Sequence, residues 1–147
     1  MGQQQLLLLV LSTVIVGLAT VAGIQAFSEN QRQAEVDALT QRAVTIATDL
    51  KAADSKPNSL GGTDLSNDGA STAMTAAGYT SSTPDAQGAS DDATCSVTTA
   101  GGGDPGSGND AKVICGTSSS PDNAPQKVTA TLKSNGDIET TVNSISS

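Results

Sequence analysis

The run from Gln3 to Phe27, "QQQLLLLVLSTVIVGLATVAGIQAF", contains no ionisable side chain, and the first one in the chain is Glu29. Leu6 to Ile24 is almost wholly apolar. As a helix it spans about 28 Å, close to the thickness of a bilayer's hydrocarbon layer. Ser12, Thr13 and Thr20 are tolerable there because their hydroxyls can bond back to helix carbonyls. Gly17 and Gly23 each weaken a helix by about 1 kcal/mol relative to Ala. With Thr20 between them they predict a soft section, where helical hydrogen bonds are lost locally in a crowded assembly. A removable signal peptide would begin with basic residues, and Met1-Gly2-Gln3-Gln4-Gln5 has none. A small-residue cleavage pattern near Thr20-Val21-Ala22 keeps that alternative in view.

The segment that follows is of a different kind. Val36, Leu39, Ala43, Ile46 and Leu50 fall at i, i+3, i+7, i+10 and i+14, one apolar stripe along a helix. Glu29, Arg32, Glu35 and Arg42 lie mostly off it. Past Gly23, no Pro or Gly interrupts the chain before residue 54. The reading is one helix over residues 1–53, apolar over 1–27 and amphipathic over 28–53. Its length would be about 75 Å. Such continuity would fix a head on a stalk where a plain anchor would place a flexible tether.

The remainder is rich in Ser, Thr, Gly, Ala and Asp. Phe27 and Tyr79 are the only aromatic residues, and Trp and His are absent. So thin a core calls for help from a disulfide, a partner or a packed helix. The net charge of −8 argues against direct nucleic-acid binding, which needs clustered Lys and Arg. If the apolar segment enters a membrane, the rest can reach an oxidising space, where a Cys95–Cys115 bridge is the natural reading. Two buried free thiols are the alternative. Two Cys without His do not complete a tetrahedral metal shell.

Residues 54–92 read as an irregular loop with turn signals at Pro57, Gly61, Gly62 and Gly69, and with a short helical turn in "AMTAAGY" ending near Gly78. Residues 93–147 read as an antiparallel β head. Ala93–Thr99, Ala111–Thr117, Gln126–Lys133 and Ile138–Ile145 are β-branched and partly alternating. A Gly-rich connection, Ala100–Asp110, joins the first two. "SNGD" at Ser134–Asp137 predicts a two-residue Asn-Gly hairpin between the last two. Val128, Ala130 and Leu132 are expected on the helix stripe, and Ile138, Val142 and Ile145 need similar cover. The fold class is α+β.

This order of parts resembles a type IV pilin or pseudopilin: a helix apolar then amphipathic, a loop, and a small disulfide-bearing sheet. The resemblance covers the whole architecture, and its sequence-specific part is the apolar N-terminal segment. It implies a leader removed by a prepilin peptidase, residence in the inner membrane before assembly, and pilus assembly machinery that builds a helical extracellular filament at the cell surface. Pilins carry Glu at the fifth mature residue, where it meets a neighbour's N-terminal amine. Here Gln5 holds that place, and an amide can hydrogen-bond an ammonium without cancelling its charge. Two registers are open: Met1 as the mature residue after a leader, favoured here, or Gly2 as an uncut cleavage-site glycine. In a filament Met1, Gln5, Leu6, Leu9, Val14, Gly17 and Gly23 belong to the assembly surface. Residues 1–27 would then lie at the axis, with Gln5 near another subunit's Met1.

No catalytic constellation is present, and no cofactor is implied. Without His there is no ordinary triad. "DLSNDG", Asp64–Gly69, matches the first half of a calcium loop, but Thr75 stands where the bidentate Glu belongs, so an Asx-turn is the reading preferred over calcium. The expected function is a major pilin, a structural filament subunit. The alternatives are a pseudopilin or minor pilin of a secretion machine and a single-pass membrane-anchored binding domain.

Overall fold

The computed structural model describes residues 2–103 and 108–144. Helix α1 spans Gly2–Asp54 and α2 spans Ala70–Ala76. Strands β1 (Thr94–Thr99), β2 (Asn109–Gly116), β3 (Gln126–Lys133) and β4 (Ile138–Ser144) form one antiparallel sheet in the order β1-β2-β3-β4. Single 3₁₀ turns lie at Asn58–Leu60 and Pro121–Asn123. The α+β class and the meander are as the sequence implies. By contacts the chain falls into two compact units, Met1–Ala34 and Glu35–Ser147.

In the first unit α1 is regular throughout, including Gly17 to Gly23. The softening expected there in a crowded assembly is not present in the single chain, which has no neighbours. Nothing lies within 4 Å of a Cβ built at either glycine, so nothing competes for the helix. Two glycines cost about 2 kcal/mol, too little to break a helix this long.

In the second unit, Leu39, Ala43, Ile46, Ala47, Leu50 and Ala53 are buried along one face of α1. They share a core with Cys95, Val97, Ala111, Val113, Cys115, Val128, Ala130 and Leu132 on one face of the sheet, and Val36 packs at its margin. The expected stripe and its expected cover therefore meet. Thr40, Thr45 and Thr48 bond back to the carbonyls of Val36, Gln41 and Val44 at 2.7–2.8 Å. A β-branched polar residue is thus carried on the helix with its hydroxyl satisfied. Beyond the helix end the Asp54 carboxylate accepts from the Leu65 backbone N–H at 3.0 Å, and the Thr63 N–H bonds to the Ala53 carbonyl at 3.2 Å.

Strand limits differ from the sequence reading by a residue or two, and β3 matches it. Helix α2 begins at Ala70, earlier than expected, and the chain then turns at Gly78 with φ +92°. The last hairpin is a correction. An Asn-Gly turn of the two-residue type needs φ > 0 at both residues, and among the described residues only glycines have positive φ. Ser134 and Asn135 instead occupy the centre of a turn closed by Gly136 N–H to Lys133 O at 2.7 Å, and Gly136 (φ +87°) supplies the bulge. The cause is the Asn135 side chain, which accepts from the Asp137 N–H at 3.0 Å and donates to the Asp137 carboxylate at 2.7 Å. The Lys51 ammonium donates to the Gly136 carbonyl, fastening this turn to α1. A second correction concerns β4. Ile138 is half-buried against the core, but Val142 is 52% exposed. Ile145, and residues 104–107 of the Gly-rich connection, lie outside the described residues.

Candidate functional site

Four consecutive leucines, Leu6 to Leu9, point in four directions around a helix that turns by about 3.6 residues per turn. The apolar surface of the first unit therefore runs all the way round. Leu6 is 67% exposed, Leu9 65% and Val14 52%, and Leu18, Ile24 and Phe27 are similarly bare. No side chain of this stretch is buried. A helix apolar on every side belongs inside something. This one is long and apolar enough to cross a membrane.

Its polar groups are arranged for such surroundings. Thr13 donates to the Val10 carbonyl at 2.8 Å and Thr20 to the Val16 carbonyl at 2.7 Å. These hydroxyls need no partner from outside. The amides of Gln3, Gln4 and Gln5 are exposed at the helix start, and Gln3 shares a face with Leu6, Leu7, Val10, Leu11 and Val14. Of the residues assigned to assembly from sequence, Gln5, Leu6, Leu9, Val14, Gly17 and Gly23 all lie on this exposed segment, while Met1 falls outside the described residues.

The second unit carries the disulfide. Cys95 and Cys115 are bonded, both fully buried, and directly opposite in the β1–β2 register with Cα atoms 3.9 Å apart. The Cys95 N–H bonds not to β2 but to the Pro84 carbonyl at 2.8 Å. Ala86 N–H likewise bonds to the Ala93 carbonyl, and Asp85 bridges to Thr94. Pro84–Ala86 therefore runs along the outer edge of β1 at its N-terminal end, where it takes up the Ala93 carbonyl and the Cys95 N–H.

One cluster escaped the sequence reading. Tyr79 donates its hydroxyl to the Asp49 carboxylate at 2.6 Å, and the Arg42 guanidinium lies 5.5 Å from the centre of its ring. Arg42 Nε donates to the Asp85 carbonyl at 3.1 Å. Burial and the Asp49 carboxylate push the Tyr79 hydroxyl up to about 12. Arg42 and Asp49 are seven apart, on one side of α1, and that spacing was the available signal. The cluster ties the 78–86 segment to α1 and so positions the edge cover over β1.

"DLSNDG" is a turn. The Asp64 carboxylate accepts from the Ser66 N–H at 3.0 Å and from Asn67 Nδ2. The Asp68 carboxylate accepts from the Asp64 N–H and the Thr63 hydroxyl, each at 2.9 Å, and those bonds hold its pKa below the ordinary value. Gly101 and Gly102 press against this turn: a Cβ at Gly101 would stand 2.1 Å from the Asn67 carbonyl carbon. Among the described residues no group of acidic, His or Cys side chains is placed to hold a metal ion.

Comparison of the chain with protein-family models, with curated proteins and with solved structures finds no match.

Proposed function

We propose that this chain is the structural subunit, a major pilin, of a type IV pilus-like helical extracellular filament. It would be held in a membrane before assembly and polymerise through its apolar N-terminal helix. The observation that carries the reading is the uncovered apolar surface of Leu6–Phe27, which is complete around the helix. Each Leu, Val or Ile withdrawn from water contributes about 1.5–3 kcal/mol, so the segment has to be covered, by lipid first and by copies of itself afterwards. The self-satisfied hydroxyls of Thr13 and Thr20 suit both surroundings. The second unit, built on a disulfide and an acidic surface, suits an exposed, oxidising location. Its described side chains form hydrogen-bonded turns and fastenings, which supports a structural role over a catalytic one.

The test is electron microscopy of the purified full-length chain, beside Val14→Asp. The expected result is polymers from the native chain and none from Val14→Asp. Val14→Asp should still reach the membrane fraction, since one carboxylate at a helix centre costs about 3 kcal/mol on insertion scales. Filaments at normal yield from Val14→Asp would remove residues 1–27 from the assembly surface. Micelle-bound monomers from the native chain would leave a membrane-anchored domain in place of a filament subunit.

A further inference from the structure

The two edges of the sheet are treated differently. The β1 edge is covered at its Ala93–Cys95 end by Pro84–Ala86. Strand β4 is last in the sheet order, and among the described residues no other strand pairs with its outer side. The register says which of its backbone groups are unpaired. Thr117 N–H bonds to the Gln126 carbonyl, so by alternation Val128, Ala130 and Leu132 also turn their backbone groups toward β2. Their β4 partners are Val142, Thr140 and Ile138. These three therefore direct N–H and C=O away from β3, toward the open side. The Lys133 N–H bonding to the Asp137 carbonyl at 2.8 Å, one pair further on, agrees with this phase.

Strand edges of this kind are ordinarily guarded by Lys, Pro or a bulge. From Thr140 to Asn143 there is no charge, no Pro and no register shift. The single charge on the strand, Glu139, is paired with Lys133 at 2.7 Å. The side chains on the core side of the sheet are half-buried at Ile138 and bare at Val142, although Val128 beside Val142 is fully buried. Both the backbone edge and the apolar face thus stop one strand short.

The sequence of β4 is suited to meet itself. We infer that β4 pairs antiparallel with β4 of a second copy of this chain, centred on Thr140. In that register Thr140 faces Thr140 of the other copy, and Ile138 faces Val142. The outward N–H and C=O groups of all three then bond across. Ile138 and Val142 complete each other's apolar face, as cross-strand pairs do. On the opposite face each Glu139 meets a Thr141, so no like charges are opposed in a molecule of net charge −8. The contact is two-fold and isologous. Neighbours along a polar filament are related head to tail, so this pairing joins two filaments laterally and goes beyond the assembly of one.

The experiment is disulfide trapping in the full-length chain, in detergent or in filaments, with Thr140→Cys and Val142→Cys made separately. Facing residues at a hydrogen-bonded position have Cα atoms about 5.5 Å apart, within disulfide reach. Val142 and its counterpart are four residues out of step, about 13 Å apart along the strand. The expected result under mild oxidation is a covalent dimer from Thr140→Cys at least tenfold more abundant than from Val142→Cys. Peptide mapping should show Cys95–Cys115 intact in both. Equal trapping, trapping at Val142→Cys alone, or no trapping overturns the pairing. Because the readout is a gel, it succeeds or fails whether or not filaments are seen.

Discussion

Replacing both Cys95 and Cys115 by Ala tests what holds the second unit together. The commonest residue of its buried core is alanine, which contributes little apolar area on burial. The bridge closes a loop with a sequence separation of 20, and in the chain-entropy model that is worth about 3 kcal/mol. Removing two fully buried sulfurs leaves a hole costing on the order of 1 kcal/mol more. Ala is chosen over Ser so that no hydroxyl is stranded in the core. The total of about 4 kcal/mol is a large share of a typical stability of about 5–15 kcal/mol. Tyr79 is the only Tyr in a chain without Trp. It sits in this unit, hydrogen-bonded to Asp49, so its fluorescence reports unfolding of the second unit alone. Urea titration of the full-length chain in detergent should show the midpoint falling by about 2 M for a slope near 2 kcal/mol per M. A shift below about 0.5 M at unchanged slope would refute the argument. It would mean that the α1 stripe and the sheet hold each other without the covalent tie.

Tyr79 also gives a pH prediction. Its hydroxyl is pushed from 10 to about 12, so the fold favours the protonated form. That stabilisation is complete below pH 10 and is lost as the pH rises from 10 to 12. Tyrosinate absorbance should show a single midpoint near 12 that moves down in Asp49→Asn, and an ordinary midpoint near 10 in the native chain would show that Tyr79 is neither buried nor bonded to Asp49 as described. Gly101→Ala places a Cβ on the Asn67 backbone and should cost about 1–3 kcal/mol. Gly69→Ala meets nothing closer than 3.9 Å and should stay within about 0.5 kcal/mol, so equal melting temperatures for the two variants would mean that the Gly-rich turn does not pack on Asp64–Gly69.

The elements were legible where one physical rule had one outcome. Alternation in Gln126–Lys133 gave a strand with its limits, because Val128, Ala130 and Leu132 have a single face to bury. The stripe from Val36 to Leu50 gave a helix face, because the intervening residues are polar. Ser134–Asp137 was misread because Asn has two uses in a turn. It can adopt φ > 0 itself, or it can bond forward with its side chain and leave φ > 0 to the glycine. Asp137, two residues on, offered the second use, and the backbone followed it. That Val142 would be left without cover in the single chain was not legible for a different reason. Alternation says which way a side chain points but not how far the covering helix extends. The spacing of Arg42 and Asp49 put two members of the Arg42–Tyr79–Asp49 cluster on one side of α1, but the contact with Tyr79, thirty residues on from Asp49, is encoded by no local pattern.

The apolar segment was legible in the same limited sense. Four successive leucines state which solvent the helix rejects and leave open what replaces it, since lipid tails and other leucines are equally apolar. What separates the two is polar. Gln3, Gln4 and Gln5 are satisfied by water at a membrane surface. Drawn into the middle of a bundle they must bond each other or an N-terminal amine, at a cost of about 1–3 kcal/mol for each amide left unpaired. A carboxylate in place of Gln5 would be harder still to bury without a cation beside it. In the proposed filament, a neutral amide at position 5 would let the same segment leave the membrane surface and enter a packed centre without a strict requirement for one charged partner. On this reasoning, specificity in assembly has to come from surfaces beyond the apolar helix. The open edge of β4, with its three outward-facing residues, is a surface in the second unit with backbone groups to supply it.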